Sequence, residues 1–227
     1  GAGPTPGHSQ SAAGAAGGET PPHARLPDAA LAAFRRAWPE VELVLQVARA
    51  EGGITSNWVH DHLQPGARLT LAGAYGSFIG DPSMDTPVLC LAAGTGLAPI
   101  LALTEAALRR GFRQPVSVVF SARTRADIYG QGLMAWWRAR HPGFDYRITL
   151  TRERQHGYLA GRIRAVLPGL FSDLSKHTVF AAGSPDFVAS CVTAVKALGA
   201  RPELIHTEAF VARQLPVVPD ADPRRAL

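Results

Sequence analysis

The stretch VLCLAAGTGLAP, residues 88–99, decides the fold. Six apolar residues run without a break into Gly94-Thr95-Gly96, and Pro99 follows where a helix would start. An unbroken apolar run of this length marks a strand buried on both faces, as in the centre of a parallel sheet. Two glycines permit a tight turn and close approach of the backbone to a bulky anion. Pro99 loses nothing near a helix start, because amides there have no helical partner. The remaining free N–H groups and the helix dipole can hold a pyrophosphate. Pro99 stands where the usual dinucleotide fingerprint has its third glycine. The turn therefore reads either as a simple strand-to-helix connection or as a phosphate loop, and its place after the first parallel strand favours the second.

Working outward, strand and helix signals alternate from here to the end. A helix is expected over 98–110, a strand at VSVVFSA (116–122), a helix over 127–140 and a strand at YRITL (146–150). TVFAA (178–182) and LIHTEAF (204–210) read as two more strands, with a helix over 186–198 between them. This grammar predicts an α/β fold, a doubly wound five-stranded parallel sheet spanning 85–212. Upstream the pattern differs. VELVLQVAR (41–49) alternates as a half-buried strand, Ser56 suits the N-cap of a short helix NWVHDHL, and LTLAGAYGSF (69–78) reads as another strand. Residues 31–84 accordingly read as part of an antiparallel β unit with one helix inserted; the resemblance given below implies a partial antiparallel β-barrel there. Residues 1–30 hold eight Ala, six Gly and five Pro with no period, and read as a disordered leader. A short helix is expected from Asp28 to Trp38, and residues 213–227 read as a loose tail.

Composition narrows the function. At 227 residues with 46% hydrophobic and 18% charged residues, the chain can bury a real core. The formal charge is +5, but of the 23 basic residues only Lys176 and Lys196 are lysine, and the arginines are scattered. That dispersion indicates mild anion preference and no nucleic-acid footprint. Two cysteines, Cys90 and Cys191, exclude a disulfide scaffold, a four-cysteine zinc site and an iron–sulfur cluster within the chain. Both lie in apolar stretches and read as buried, inert thiols. Residues 86–104 carry no charge, but Pro87, Gly94, Gly96 and Pro99 interrupt them, so no membrane span is expected. No signal peptide is read, and the expected location is cytoplasmic. The histidines show no metal-ligand spacing, and no Ser/His/Asp arrangement is legible.

Four further segments carry chemistry. Ser121-Ala122-Arg123-Thr124-Arg125 closes the second parallel strand, the end that faces an adenosine ribose in a doubly wound sheet. A hydroxyl and two guanidiniums there suit a 2′-phosphate, or else form a solvated basic loop. Gly183-Ser184-Pro185-Asp186 follows the fourth strand as a glycine turn with helix-capping residues, on the same carboxyl edge as the first loop. Gly53-Ile54-Thr55-Ser56 is a turn and cap whose amides could take a second phosphate. Glu208 and Phe210 end the last strand, either pointing into the crevice or lying on a solvated edge.

In this order the five segments resemble the ferredoxin–NADP reductase superfamily, nearest to its single-chain flavin and oxygenase reductases. The likeness runs from Val41 to Phe210, about three quarters of the chain. GGITSNWVHDHLQPGARLTLAGAYGSF is similar to the family's FAD pyrophosphate segment, LAAGTGLAPI to its nicotinamide-dinucleotide phosphate loop and FSARTRADIY to its ribose-side strand end. AAGSPDFV is similar to the loop beside the nicotinamide, and HTEAF to the closing strand whose aromatic lies near the isoalloxazine. The resemblance implies hydride transfer from NAD(P)H to FAD and passage of electrons to a protein or small-molecule acceptor outside the chain. It assigns Gly94, Thr95, Gly96 and Pro99 to the pyrophosphate, and Ser121 and Arg123 to the ribose or its phosphate. Gly183, Ser184, Pro185 and Asp186 go to the nicotinamide side, Gly53, Ile54, Thr55 and Ser56 to the FAD phosphates, and Glu208 and Phe210 to the redox centre; no metal is implied. Two departures stand out. The family's Arg-x-Tyr-Ser flavin segment has no match, the nearest being Arg36-Ala37-Trp38-Pro39. Ala182 also stands where the family often carries a cysteine. The alternative is a non-catalytic or degenerate dinucleotide-binding module that has lost flavin binding.

Overall fold

The computed structural model describes residues 45, 47–69, 78, 81 and 83–210. A six-stranded sheet organises them. In chain order its strands are β1 (Val88–Ala93), β2 (Val116–Ala122), β3 (Phe144–Leu150), β4 (Leu159–Ala160), β5 (Thr178–Gly183) and β6 (Ile205–Ala209). Across the sheet the order is β4-β3-β2-β1-β5-β6. Every neighbouring pair is parallel. The chain leaves β1 toward one edge, then returns to add β5 and β6 on the other side. The order therefore reverses between β1 and β5, which opens a crevice at their carboxyl ends.

Both faces are covered, which is why β1 is apolar throughout. Val88, Cys90 and Ala92 face α2 (Leu97–Arg109) and α3 (Gln131–Arg140). Leu89 and Leu91 face α4 (Ile163–Leu170) and α5 (Pro185–Ala197). Along α2 the buried residues Leu97, Ile100, Leu101, Thr104 and Leu108 recur at helical spacing on one face. On α3, Leu133, Met134 and Trp137 do the same, and Trp137 packs edge-on against Phe144 of β3. Ser184 caps α5 by accepting the Phe187 amide at 3.3 Å, with Pro185 opening the helix.

The sheet has six strands, not the five expected. The extra one, β4, is two residues long, too short for any alternation to register. Helix α4 is a further element that the expected order lacks, and it contains Pro168. Pro168 is held near the helix's carboxyl end, where Ile163 and Leu167 anchor one turn to the core. The helix expected over 127–140 starts later. Residues Arg125–Asp127 form a 3-10 turn, and Gly130 in left-handed conformation precedes α3.

Upstream, α1 (Ile54–Asp61) matches the expected short helix, but its cap is Gly53, and Ser56 lies inside the first turn. The Ser56 hydroxyl accepts the Ala50 amide at 3.1 Å and points at the Gly53 carbonyl, 3.4 Å away. Residues 45 and 47–49, within the expected strand 41–49, are not extended in a ladder. They are hooked to α1 instead. His60 Nε2 donates to the Val47 carbonyl at 2.8 Å, and Arg49 pairs with Asp61. The remainder of that strand, the strand 69–78 apart from its two end residues, the leader, the helix 28–38 and the tail lie outside the described residues. Leu69 and Phe78 themselves are in no strand.

Candidate functional site

The carboxyl edge of the sheet holds a cleft of about 920 Å³. Gly94 and Thr95 after β1, Ser121 and Arg123 at the end of β2, and Gly183, Ser184 and Asp186 after β5 all line it. Phe210, just past β6, lines it too, its amide bonded to the Gly183 carbonyl at 2.8 Å. Eight residues singled out from the sequence thus meet around one space.

The two glycine turns are built differently. Gly94 has φ +54°, and a side chain there would meet no heavy atom within 4 Å, so its outer face opens to the cleft. Gly96 is buried. A Cβ there would stand 2.1 Å from the Ala182 carbonyl oxygen and 2.7 Å from the Gly183 nitrogen. Gly96 is glycine because the loop after β1 lies against β5, not because a ligand needs its surface. A Cβ on Gly183 would strike Phe187 Cδ1 at 2.8 Å, so this turn is also packed tight. Pro99 sits in the first turn of α2 and Pro185 opens α5; neither lines the cleft.

The β2 end is more acidic than its sequence suggests. Arg123 Nη2 stands 2.6 Å from Asp127 Oδ1. The other carboxylate oxygen accepts the Thr124 amide at 3.0 Å and the Thr124 hydroxyl at 2.9 Å. The Arg123 contact, followed by the Thr124 hydroxyl, lowers the Asp127 carboxyl to about 2. Both charged groups face the same cleft.

Several lining residues escaped the sequence reading. Thr151 and Arg152 follow β3, and Arg162 precedes α4. Both arginines are exposed, and among the described residues neither has a carboxylate partner. Thr151 and Arg152 stand at a parallel strand end like the other loops, so the rule that found Ser121 would have found them. Arg162 needed β4 and α4 to be known. Tyr129, Phe187 and Ser190 also line the cleft.

The remaining expected residues lie elsewhere. Glu208 is half-buried on β6, in register with Ala182, and does not line the cleft. Gly53, Ile54, Thr55 and Ser56 form the start of α1, where Asn57 is the first amide bonded to the Gly53 carbonyl, at 3.0 Å. The amides of Ile54, Thr55 and Ser56 precede it. The cleft reaches this region through Val47 and Ala48. Both thiols are buried, which pushes Cys90 and Cys191 up to about 12. No helix among the described residues is long and apolar enough to cross a membrane.

A doubly wound sheet with two glycine turns flanking its switch point defines a dinucleotide-binding α/β domain. The comparisons agree. Residues 90–193 match the oxidoreductase NAD-binding domain family. The reductase component of the naphthalene 1,2-dioxygenase system of Pseudomonas putida, a ferredoxin–NAD(P)+ reductase, is 29% identical over 74% of this chain and 52% of its own length. Ferredoxin–NADP reductase B of Sorangium cellulosum is 36% identical over 58% of this chain and 54% of its own. Among solved structures, the Amycolatopsis reductase GcoB superposes with a TM-score of 0.68 at 30% identity, over 72% of this chain and 50% of that one. Over this region the chain is similar to the ferredoxin–NADP reductase-like oxidoreductases. It spans about half the length of the curated relatives it matches.

Proposed function

We propose that this chain is the dinucleotide-binding part of an NAD(P)H oxidoreductase that reduces FAD and passes electrons to an acceptor outside the chain. The observation that carries the reading is the meeting of Gly94, Thr95, Gly183 and Ser184 on one cleft at the switch point between β1 and β5. The residues fit the dinucleotide. The open face of Gly94 leaves room for a pyrophosphate, and the start of α2 behind it supplies a favourable dipole. Ser121 lies toward the ribose, with Arg123, Arg152 and Arg162 as the cations available to a 2′-phosphate. Gly183, Ser184 and Phe210 would border the nicotinamide, and the ring of Phe210 is 41% exposed, free to lie against a planar group. When bound, FAD supplies the chemistry: it takes two electrons as a hydride and releases them singly. The chain's own part is to bind, orient and exclude water. The start of α1 fits the phosphate end of FAD, by its unpaired amides alone. A cytoplasmic location and an external protein or small-molecule acceptor belong to the same reading.

A second reading, a dinucleotide-binding module without catalysis, is favoured by one feature. Arg36-Ala37-Trp38-Pro39 offers neither the tyrosine nor the serine of the flavin segment. One experiment separates the two. The purified chain is titrated with NADPH by calorimetry, then mixed with FAD and NADPH without oxygen while the flavin band is followed. Binding with bleaching supports the reductase, and binding without bleaching supports the module. No binding overturns both.

A further inference from the structure

We propose that Tyr129 is a positioning residue for the pyrophosphate: its phenol holds the Gly94 turn in place and quenches the Gly94 carbonyl beside the anion. This rests on the dinucleotide reading above and gives a role to Tyr129, the last residue of FSARTRADIY, which the resemblance left without one.

The geometry is specific. Tyr129 Oη donates to the Gly94 carbonyl oxygen at 2.6 Å, across 35 residues of chain. The Leu97 amide bonds to the same carbonyl. Gly94 is where the backbone leaves β1 with a positive φ, and its cleft side has nothing packed on it. The turn is therefore held from behind, by donors on this one oxygen. A bare carbonyl next to a pyrophosphate repels it. A carbonyl already accepting from a phenol and an amide repels it less, and the turn is spared reorganisation on binding.

Tyr129 is itself well fixed. Its ring meets buried Phe120 edge-on, with centroids 5.5 Å apart and planes at 75°. The next residue, Gly130, has φ +68° and lies so close to α2 that a Cβ there would be 3.2 Å from Leu101 Cδ1. The chain thus delivers the phenol from the segment ahead of α3 to the turn ahead of α2. Burial raises the phenol well above its ordinary range, so it stays protonated and remains a donor.

The test compares two nucleotides in Tyr129→Phe, which keeps the ring contact and loses only the hydroxyl. ADP carries the pyrophosphate; 2′-AMP carries the adenosine and a 2′-phosphate without it. Calorimetry should show ADP binding weakened about two- to tenfold, with 2′-AMP unchanged and the melting temperature within a degree or two. Unchanged ADP affinity overturns the proposal. Equal weakening of both ligands overturns it as well, since the phenol would then act on the cleft's general shape. If the unaltered chain binds neither nucleotide, the dinucleotide reading fails first, and that failure is visible before any variant is made.

Discussion

Asp127 holds Arg123 at 2.6 Å on the rim of the cleft, and the same carboxylate closes the capping box of the Arg125–Asp127 turn. In the sequence Ser121 and Arg123 have no acid as a neighbour; the fold brings Asp127, four residues on, against Arg123. A 2′-phosphate approaching Arg123 therefore meets an ionised carboxylate already in place. A guanidinium has five donors and can serve two anions, so Arg123 is diminished as a phosphate receptor rather than removed. Asp127→Asn should raise the preference for NADPH over NADH about three- to tenfold, read as the ratio of their dissociation constants. Arg123→Ala should change that ratio less than the loss of an unpaired arginine would. A lower NADPH preference in Asp127→Asn would show that the carboxylate orients Arg123 for the phosphate.

The same carboxylate sets an acid limit on the turn. Asp127 titrates near 2, below its ordinary 3.8, because its ionised form is bonded in the fold. A depressed pKa means the contribution is complete above the unfolded value and lost as pH falls through the folded one. The Arg125–Asp127 turn should hold from neutral pH down to about 4 and loosen between there and about 2. Carboxyl-carbon NMR of Asp127 checks this directly. A midpoint at or above 3.8 would mean the Arg123 contact is absent in solution.

The two glycines of the first loop should fail in opposite ways. The resemblance assigns Gly96 to the pyrophosphate, which by itself would make Gly96→Val a loss of binding with the fold intact. The contact at 2.1 Å from the Ala182 carbonyl reverses that expectation. Even Gly96→Ala must push β5 from α2, and overpacking of this kind costs about 1–3 kcal/mol or more. Gly94→Ala meets no atom, so it should cost about 1–2 kcal/mol of backbone strain and keep the fold. Its methyl would instead occupy the face offered to the pyrophosphate. Thermal melts and NADPH titrations of both variants read the difference: a lower melting point for the first, lost affinity for the second.

These cases mark what the sequence could and could not tell. The VLCLAA run and its neighbours were legible because a strand buried on both faces has no polar position to break the pattern. The strand ends Gly94, Ser121 and Gly183 were legible because parallel topology brings them to one edge. For Gly96 the fold supplies a packing reason that the sequence does not show, since a glycine reports only that no side chain fits, not what excludes it. The Arg123–Asp127 pair depends on a 3-10 turn that 127–140 read as continuous helix conceals. Arg162 and Tyr129 reach the cleft through β4, α4 and a left-handed Gly130, none of which leaves a periodic signal.

Both cysteines should be silent until the fold opens. Cys90 and Cys191 lie in the two cores on opposite faces of the sheet, and burial raises each thiol to about 12. The thiolate is the reactive form, so almost none is present at pH 8. A thiol-specific chromogenic reagent should react with neither in the native chain and with both in denaturant. Fast reaction of either one before unfolding would reveal local opening of that face.

Flavin retention turns on the start of α1. Ser56 was read as both helix cap and phosphate ligand, but its hydroxyl accepts the Ala50 amide at 3.1 Å and lies inside the helix. That hydroxyl is committed to the turn that joins residue 50 to the helix. Ser56→Ala should therefore destabilise the turn by about 0.5–1.5 kcal/mol, seen as faster hydrogen exchange at Ala50, whether or not flavin is added. FAD phosphates bound at this helix start would have only the amides of Ile54, Thr55 and Ser56 to accept from. All of this stands near the surface, where Ile54 is 76% exposed. Trp58 and Phe210, each 41% exposed, are the aromatic rings among the described exposed residues that could stack on the isoalloxazine. Among the described residues no clamp encloses this helix start, and a few solvent-accessible hydrogen bonds give micromolar affinity rather than nanomolar, since each 1.4 kcal/mol is a factor of ten. This chain should therefore emerge from desalting with much less than one FAD per molecule. Stoichiometric yellow colour after that step would overturn the expectation. It would place the missing contacts on residues other than those of α1, and it would favour the reductase over the module.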